Sequence, residues 1–354
     1  MNLESLITNS LRVLLVGPPG CGKTARVAAV AEQTNRKLYV VRASLAERVD
    51  FGGALVPDTE AGITRALPLQ LLHELKTTKT PSLLFLDDLG QAPIDVQAAL
   101  MKLFDKGELS PEVLIWGATN RPGDKAGVTA LCEPLRSRFD LAFAVPTPAT
   151  EDKADGPMLI GSWQDEVNGW CNWVLDTYPE AFEVVAWHRS PQVGVAHPIG
   201  PVLYDWKPNA DPAQRMPDFR SWETVCKLLN AGLNNIDLVS AAIGKGQAAA
   251  FFSFKELVSE IPTPEQVWMD PESAPVPTDP GALCLVSVRL SSAVKPEFVE
   301  SLSVYCQRMP QMFCALTIRD TYRRFTAQNQ GAKLAANRAW QKVFLDNQTL
   351  FAAA

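Results

Sequence analysis

The stretch RVLLVGPPGCGKTARVAAVAEQT, Arg12 to Thr34, decides the fold. Arg12 to Val16 is an apolar run of buried-strand character, and a helical pattern begins near Lys23. Between them GPPGCGKT, Gly17 to Thr24, satisfies G-x-x-x-x-G-K-[ST] in the strand–loop–helix setting that this pattern requires. Gly17, Gly20 and Gly22 allow positive φ, so that backbone N–H groups can turn inward around a phosphate. The helix start adds the positive end of its dipole. Lys23 has the length to reach terminal phosphates, and the Thr24 hydroxyl can ligate Mg²⁺. Pro18 and Cys21 fill variable positions of the loop and count among its candidate binding residues. The bland alternative is a Gly-rich turn with no ligand, and the flanking strand and helix weigh against it.

Further strands follow at KLYVV (Lys37 to Val41), LLFLD (ending at Asp87), VLIWGAT (Val113 to Thr119) and LAFAV (Leu141 to Val145). Continuous apolar strands alternating with helical stretches predict a parallel sheet covered on both faces. LLFLDDLG, Leu83 to Gly90, ends its apolar run on two adjacent carboxylates. Buried charge is costly unless it is paired or bound to a metal. Beside a phosphate loop, Asp87 would hold Mg²⁺ and Asp88 would polarise an attacking water. The alternative for Asp88 is a cap on the helix that follows, APIDVQAALMKLF.

The chain has 354 residues, 47% hydrophobic and 20% charged, with a formal net charge of −6. That composition describes an ordinary globular protein of two or three domains and disfavours bulk-charge binding to nucleic acid or an anionic membrane. The seven cysteines include no C-x-x-C pair. A reducing cytoplasm fits better than a secreted disulfide framework. The N-terminus lacks the character of a signal peptide, and no apolar run approaches the ~18 residues of a membrane helix. Pro and charge concentrate in PTPATEDKADGP, Pro146 to Pro157, and Pro recurs from Ile261 to Gly281, which reads as an extended connector. The expected division is an α/β core over 1–150, a helical region over 151–260, and a Pro-rich connector with a helical C-terminal extension over 261–354.

The ordered motifs from about residue 10 to 255 resemble the AAA+ ATPases, and within them the MoxR-like branch. The resemblance implies a P-loop NTPase three-layer core followed by a helical lid, with ATP and Mg²⁺ as ligands. WGATNRP then places Asn120 at the sensor-1 position, where its amide would orient the lytic water or touch the γ-phosphate. EPLRSRFD, Glu133 to Asp140, is similar to the segment whose arginine reaches the neighbouring subunit's ATP; Arg138 matches best and Arg136 second. FRSWETV resembles the sensor-2 stretch and makes Arg220 the lid arginine. Two positions depart from the family: Phe219 stands where Pro is usual, and Asp88 where Glu is usual. The resemblance further implies a hexameric ring acting on a separate partner chain of the kind that carries a von Willebrand A domain. Membrane and nucleic acid are not expected partners. The rivals are a nucleic-acid motor or loader, a small-molecule kinase, and a scaffold that binds nucleotide but turns it over slowly.

Three weaker signals remain. Asp50 to Pro68 holds Gly pairs and Phe51; in MoxR-like proteins an inserted hairpin or helix here faces the pore or a partner, and the alternative is a loop packing Phe51 on its own domain. Trp163, Trp170 and Trp173 share one helical face and are expected in the core. Arg319, Arg323, Arg324, Lys333, Arg338 and Lys342 make the tail basic, as a solvated face or subunit contact. His73, His188 and His197 lack ligand spacing, so no structural zinc site is expected.

Overall fold

Val13, Leu14 and Leu15 are all but completely withdrawn from solvent, as are Leu83 to Leu86. Strands apolar on both faces must be covered on both, and the chain supplies helices for that purpose. The computed structural model describes residues 3–124, 131–151, 158–194, 199–207 and 215–351. The chain divides into two compact units, residues 1–163 with 206–210, and residues 164–205 with 211–354.

The first unit contains β1 (Val13–Val16), β2 (Lys37–Arg42), β3 (Ala54–Asp58), β4 (Ile63–Leu67), β5 (Ser82–Asp87), β6 (Val113–Thr119) and β7 (Leu141–Ala144). Five of them form one parallel sheet in the order β2-β5-β6-β1-β7, and this is a P-loop NTPase-like α/β fold. The register aligns Val16 with Thr119 and Leu86 with Gly117. The carboxyl ends of β1, β5 and β6 therefore lie side by side. The chain leaves β1 toward the β2 edge and later returns to the opposite side as β7, which makes this end a switch point where α/β folds bind ligands. Beneath it sits a core of Leu14, Leu84, Leu86, Leu89, Val96, Leu100, Leu135 and their neighbours.

The five expected strands fall within a residue or so of their places. Asp50 to Pro68 combines the two alternatives: Phe51 is buried in its own unit's core, and β3 pairs antiparallel with β4 as an exposed hairpin.

The second unit is helical. Its central helix, Pro280–Ala293, buries nearly every side chain and packs on Phe182–Arg189 and Gln311–Ala327. A helix apolar around its whole circumference belongs inside a core. Residues on both sides of the Pro-rich stretch thus share one interior. That stretch is not simply extended: Pro264–Met269 is a helical turn capped reciprocally by Thr263 and Gln266. The residues after it are held by Tyr305, whose hydroxyl donates to Pro275 O at 2.8 Å, and by Arg308 Nη1, which donates to Pro271 O and Ala274 O. The tryptophan expectation is corrected too. The buried face of Trp163–Thr177 is Val167, Cys171, Val174 and Leu175, while Trp173 is exposed. The fully buried tryptophans are Trp116, Trp187 and Trp222. No helix among the described residues is long and apolar enough to cross a membrane.

Candidate active site at the strand ends

The loop after β1 turns on two glycines. Gly20 and Gly22 hold φ of 73° and 84°, a left-handed region that side chains disfavour. Gly17 meets a different limit: a Cβ there would lie 2.9 Å from Cys21 Sγ and 3.2 Å from Val145 Cβ. These constraints bring the chain into the helix Lys23–Gln33 with its first turn facing the loop.

Lys23 is 7% exposed. Its Nζ donates to Gly17 O at 2.8 Å, Pro18 O at 3.0 Å and Asn120 Oδ1 at 2.7 Å. All of these acceptors are neutral, and no carboxylate among the described residues pairs with it. A buried ammonium without a counter-ion is expensive and makes the surrounding pocket attractive to anions. Asn120, itself buried, follows the last residue of β6, and its amide oxygen must face the ammonium because an ammonium can only donate. Thr24 Oγ1 donates to Asp87 Oδ2 at 2.7 Å, and the Asp88 N–H donates to Asp87 Oδ1 at 3.0 Å. Both oxygens of Asp87 are thereby aimed. Hydroxyl plus carboxylate is the hard-oxygen donor set that Mg²⁺ takes beside phosphates.

Asp88 is half-buried and adopts φ 56°, ψ 36° as β5 gives way to a short turn, Leu89–Gln91. Asn and Asp tolerate this left-handed conformation better than other side chains. The helix Ile94–Met101 has Pro93 at its cap position, so Asp88 is not that helix's cap.

Arg136 and Arg138, in the same unit, take no part in this network. Arg138 Nη1 pairs with Asp105 Oδ1 at 2.7 Å, both partly exposed. Arg136 pairs at the surface with Glu133 three residues before it. The segment carrying them is anchored by Leu135, fully buried, and by Phe139 edge-on to Phe104 at 5.2 Å between ring centres. Arg220 belongs to the second unit, exposed in the first turn of Phe219–Asn230, which Asp218 and Ser221 cap reciprocally. His197 lies outside the described residues.

Two residues that the motifs do not mark touch this machinery. Gln97 is completely buried and hydrogen-bonded at both ends of its amide. Gly117 in β6 has no room for a side chain. Neither is visible without the tertiary fold, since Cys132 for Gln97, and Leu89 and Phe139 for Gly117, are distant in sequence.

Residues 13–147 match the family model described as AAA, ATPase family associated with various cellular activities. This segment is therefore similar to AAA ATPase domains, and it is the part shared with curated relatives. ATPase family gene 2 protein homolog B of Homo sapiens is 36% identical over 161 residues, 42% of this chain and 20% of that protein. The proteasome-activating nucleotidase of Methanocaldococcus jannaschii is 32% identical over 152 residues, 38% of this chain and 31% of that protein. The aligned part thus spans about a fifth to a third of these relatives. Among solved structures, the RuvB Holliday junction branch migration motor of Thermotoga maritima aligns over 92% of this chain and 84% of that one, at 13% identity and a TM-score of 0.33.

Proposed function

We propose that the chain is a Mg²⁺-dependent ATPase of the MoxR-like branch of AAA+ proteins, acting as a cytoplasmic ring on a separate protein partner. The observation that carries the reading is the buried Lys23 ammonium, matched only by neutral acceptors, beside the Thr24–Asp87 oxygen pair. In this reading residues 1–150 bind nucleotide, 151–260 act as the lid, and 261–354 form an extension packed into the same unit as the lid.

Phosphoryl transfer asks for positioning and for positive charge on the developing oxyanions. The loop N–H groups from Gly20 to Gly22 and the Lys23 ammonium bind the phosphates, while Gly17, whose N–H is donated to Thr119 O, and Pro18 shape the loop. Thr24 and Asp87 hold Mg²⁺, which when bound neutralises phosphate charge. Asp88 takes the water's proton, and the Asn120 amide orients that water. Arg138 completes the neighbouring protomer's site, where an arginine finger is worth about 10³–10⁵ in rate. Arg220 adds charge from the lid. Asp88 is about 1.5 Å shorter than Glu, so turnover is expected at the slow end of the family. The first partner to test is one with a von Willebrand A domain.

The test is phosphate release by purified chain with ATP and Mg²⁺. Lys23→Met should abolish both turnover and the rise in Tm that ATP gives the wild type, since only a bound ligand stabilises. Asp88→Asn should keep the Tm rise and lose turnover at least 100-fold. Arg138→Ala should bind ATP normally and turn it over at least 100-fold more slowly. Unchanged turnover in Lys23→Met would overturn the ATPase reading. Unchanged turnover in Arg138→Ala and Arg136→Ala would remove the ring from it.

A further inference from the structure

The turn that bears Asp88 and the segment that bears Arg138 meet twice, through contacts that ATP hydrolysis within one protomer does not need. The first contact is polar. Gln97 Nε2 donates to Ala92 O at 3.0 Å, one residue beyond the Leu89–Gln91 turn. Gln97 Oε1 accepts from the Cys132 N–H at 2.9 Å, and Cys132 is the residue on which the helix Glu133–Arg136 begins. The orientation of the amide is fixed by its partners: turned over, it would set oxygen against a carbonyl and NH₂ against an N–H. Gln97 is 0% exposed, so water cannot substitute at either end.

The second contact is apolar. A Cβ on Gly117 would lie 2.6 Å from Leu89 Cδ1 and 2.7 Å from Phe139 Cζ. Leu89 follows Asp88, and Phe139 follows Arg138. Both side chains close over the same strand residue, and neither could stay if that residue had a side chain. The two segments are therefore joined by one amide and by one shared steric gap, although 35 residues separate Gln97 from Cys132.

We propose that Gln97 is a positioning residue, which ties the Asp88 turn to the Arg138 segment so that the state of a protomer's own nucleotide is passed to the arginine it offers its neighbour. This rests on the reading of Arg138 as a trans arginine and adds the route by which successive sites are coupled. Gln97 touches no nucleotide; it acts through Ala92 and Cys132. A displacement of about 1 Å at a catalytic group can cost ~10² in rate, so a loosened tie should be felt in turnover and not in affinity.

The experiment is a double-mutant cycle on the full chain with ATP and Mg²⁺. Wild-type turnover that disappears in Lys23→Met establishes the site; a chain lacking such turnover overturns the functional reading itself. Gln97→Met keeps the side-chain length and removes both hydrogen bonds. It should lower kcat at least 10-fold, leave the Kd for a fluorescent ATP analogue within 3-fold, and flatten the dependence of rate on ATP concentration. In an Arg138→Ala background the same substitution should change kcat less than 2-fold, because the residue it positions is gone. Gln97→Glu retains the acceptor for Cys132 and loses the donor to Ala92. It carries the same test if the Met variant does not fold. Gly117→Ala, which forces Leu89 and Phe139 apart, should reproduce the loss of kcat at unchanged Kd. Equal losses of kcat from Gln97→Met with and without Arg138 would overturn the tie, and so would a lowered Tm with unaltered kcat.

Discussion

His188 shows what burial does to one side chain. It is 4% exposed, sits edge-on to Trp222 at 4.4 Å and to Trp170 at 5.6 Å, and its Nε2 has no hydrogen-bond partner among the described residues. Burial pushes its pKa from 6.5 down to about 3. An unfolded chain therefore takes up a proton below pH 6.5 that the folded chain refuses until about pH 3. Stability should fall as pH drops through that window, at about 1.4 kcal/mol per pH unit. Between pH 7.5 and pH 5 the His188 contribution is a loss of about 2 kcal/mol. Urea melts at both pH values should show it, and His188→Phe should remove that part of the slope. Asp88 is the other instructive residue. Its left-handed backbone suits Asp and Asn, which gives a local reason for the missing Glu. Lys23 and Thr24 were legible from the spacing of the glycine loop, and Asp87 and Asn120 because one ends and the other follows an apolar strand. Gln97 and Gly117 were not legible, since a Gln in a helix and a Gly in a strand acquire meaning only from what packs against them.

The hairpin β3–β4 marks where pattern fails at the scale of elements. Leu55 is 74% exposed and every residue of β4 is exposed, so no alternation of burial exists for a sequence pattern to report. The central strands β1, β5 and β6 carry the opposite signal, nearly continuous burial; β2 and β7 are more open but equally apolar in sequence, and all five were legible within a residue or so. Phe51, just before the hairpin, is 3% exposed and belongs to the core. Phe51→Ala should cost about 3–5 kcal/mol of stability, whereas Leu55→Ser should change it by less than about 0.5 kcal/mol. Denaturant midpoints of the two variants measure the contrast. The tryptophans of Trp163–Thr177 misled for a related reason: their spacing fits a helical face, but smaller side chains occupy the face that is buried.

At the scale of the whole molecule, the basic tail is partly internal. Arg189 and Asp320, both buried, form an ion pair across 131 residues of sequence, and Arg189 Nη2 also donates to Asn172. Arg324 donates to Ser292 O and Val294 O at the end of the central helix. The Arg189–Asp320 pair joins the tail to a helix that precedes the Pro-rich stretch, and the Arg324 contacts join it to the helix that follows, pairings that charge counting along the chain does not foretell. Removing one partner of a buried pair leaves the other uncompensated, so Asp320→Asn should destabilise the second unit by about 3–5 kcal/mol. Arg189→Met combined with Asp320→Asn should recover part of that loss, and thermal melts of the three variants check both statements. The Arg138–Asp105 pair has its own corollary at this scale. A solitary chain already offers that guanidinium an acid of its own, and in the proposed ring that acid would be exchanged for a neighbour's triphosphate. Dilution should therefore give quiescent, intact monomers, and concentrating them again should bring activity back.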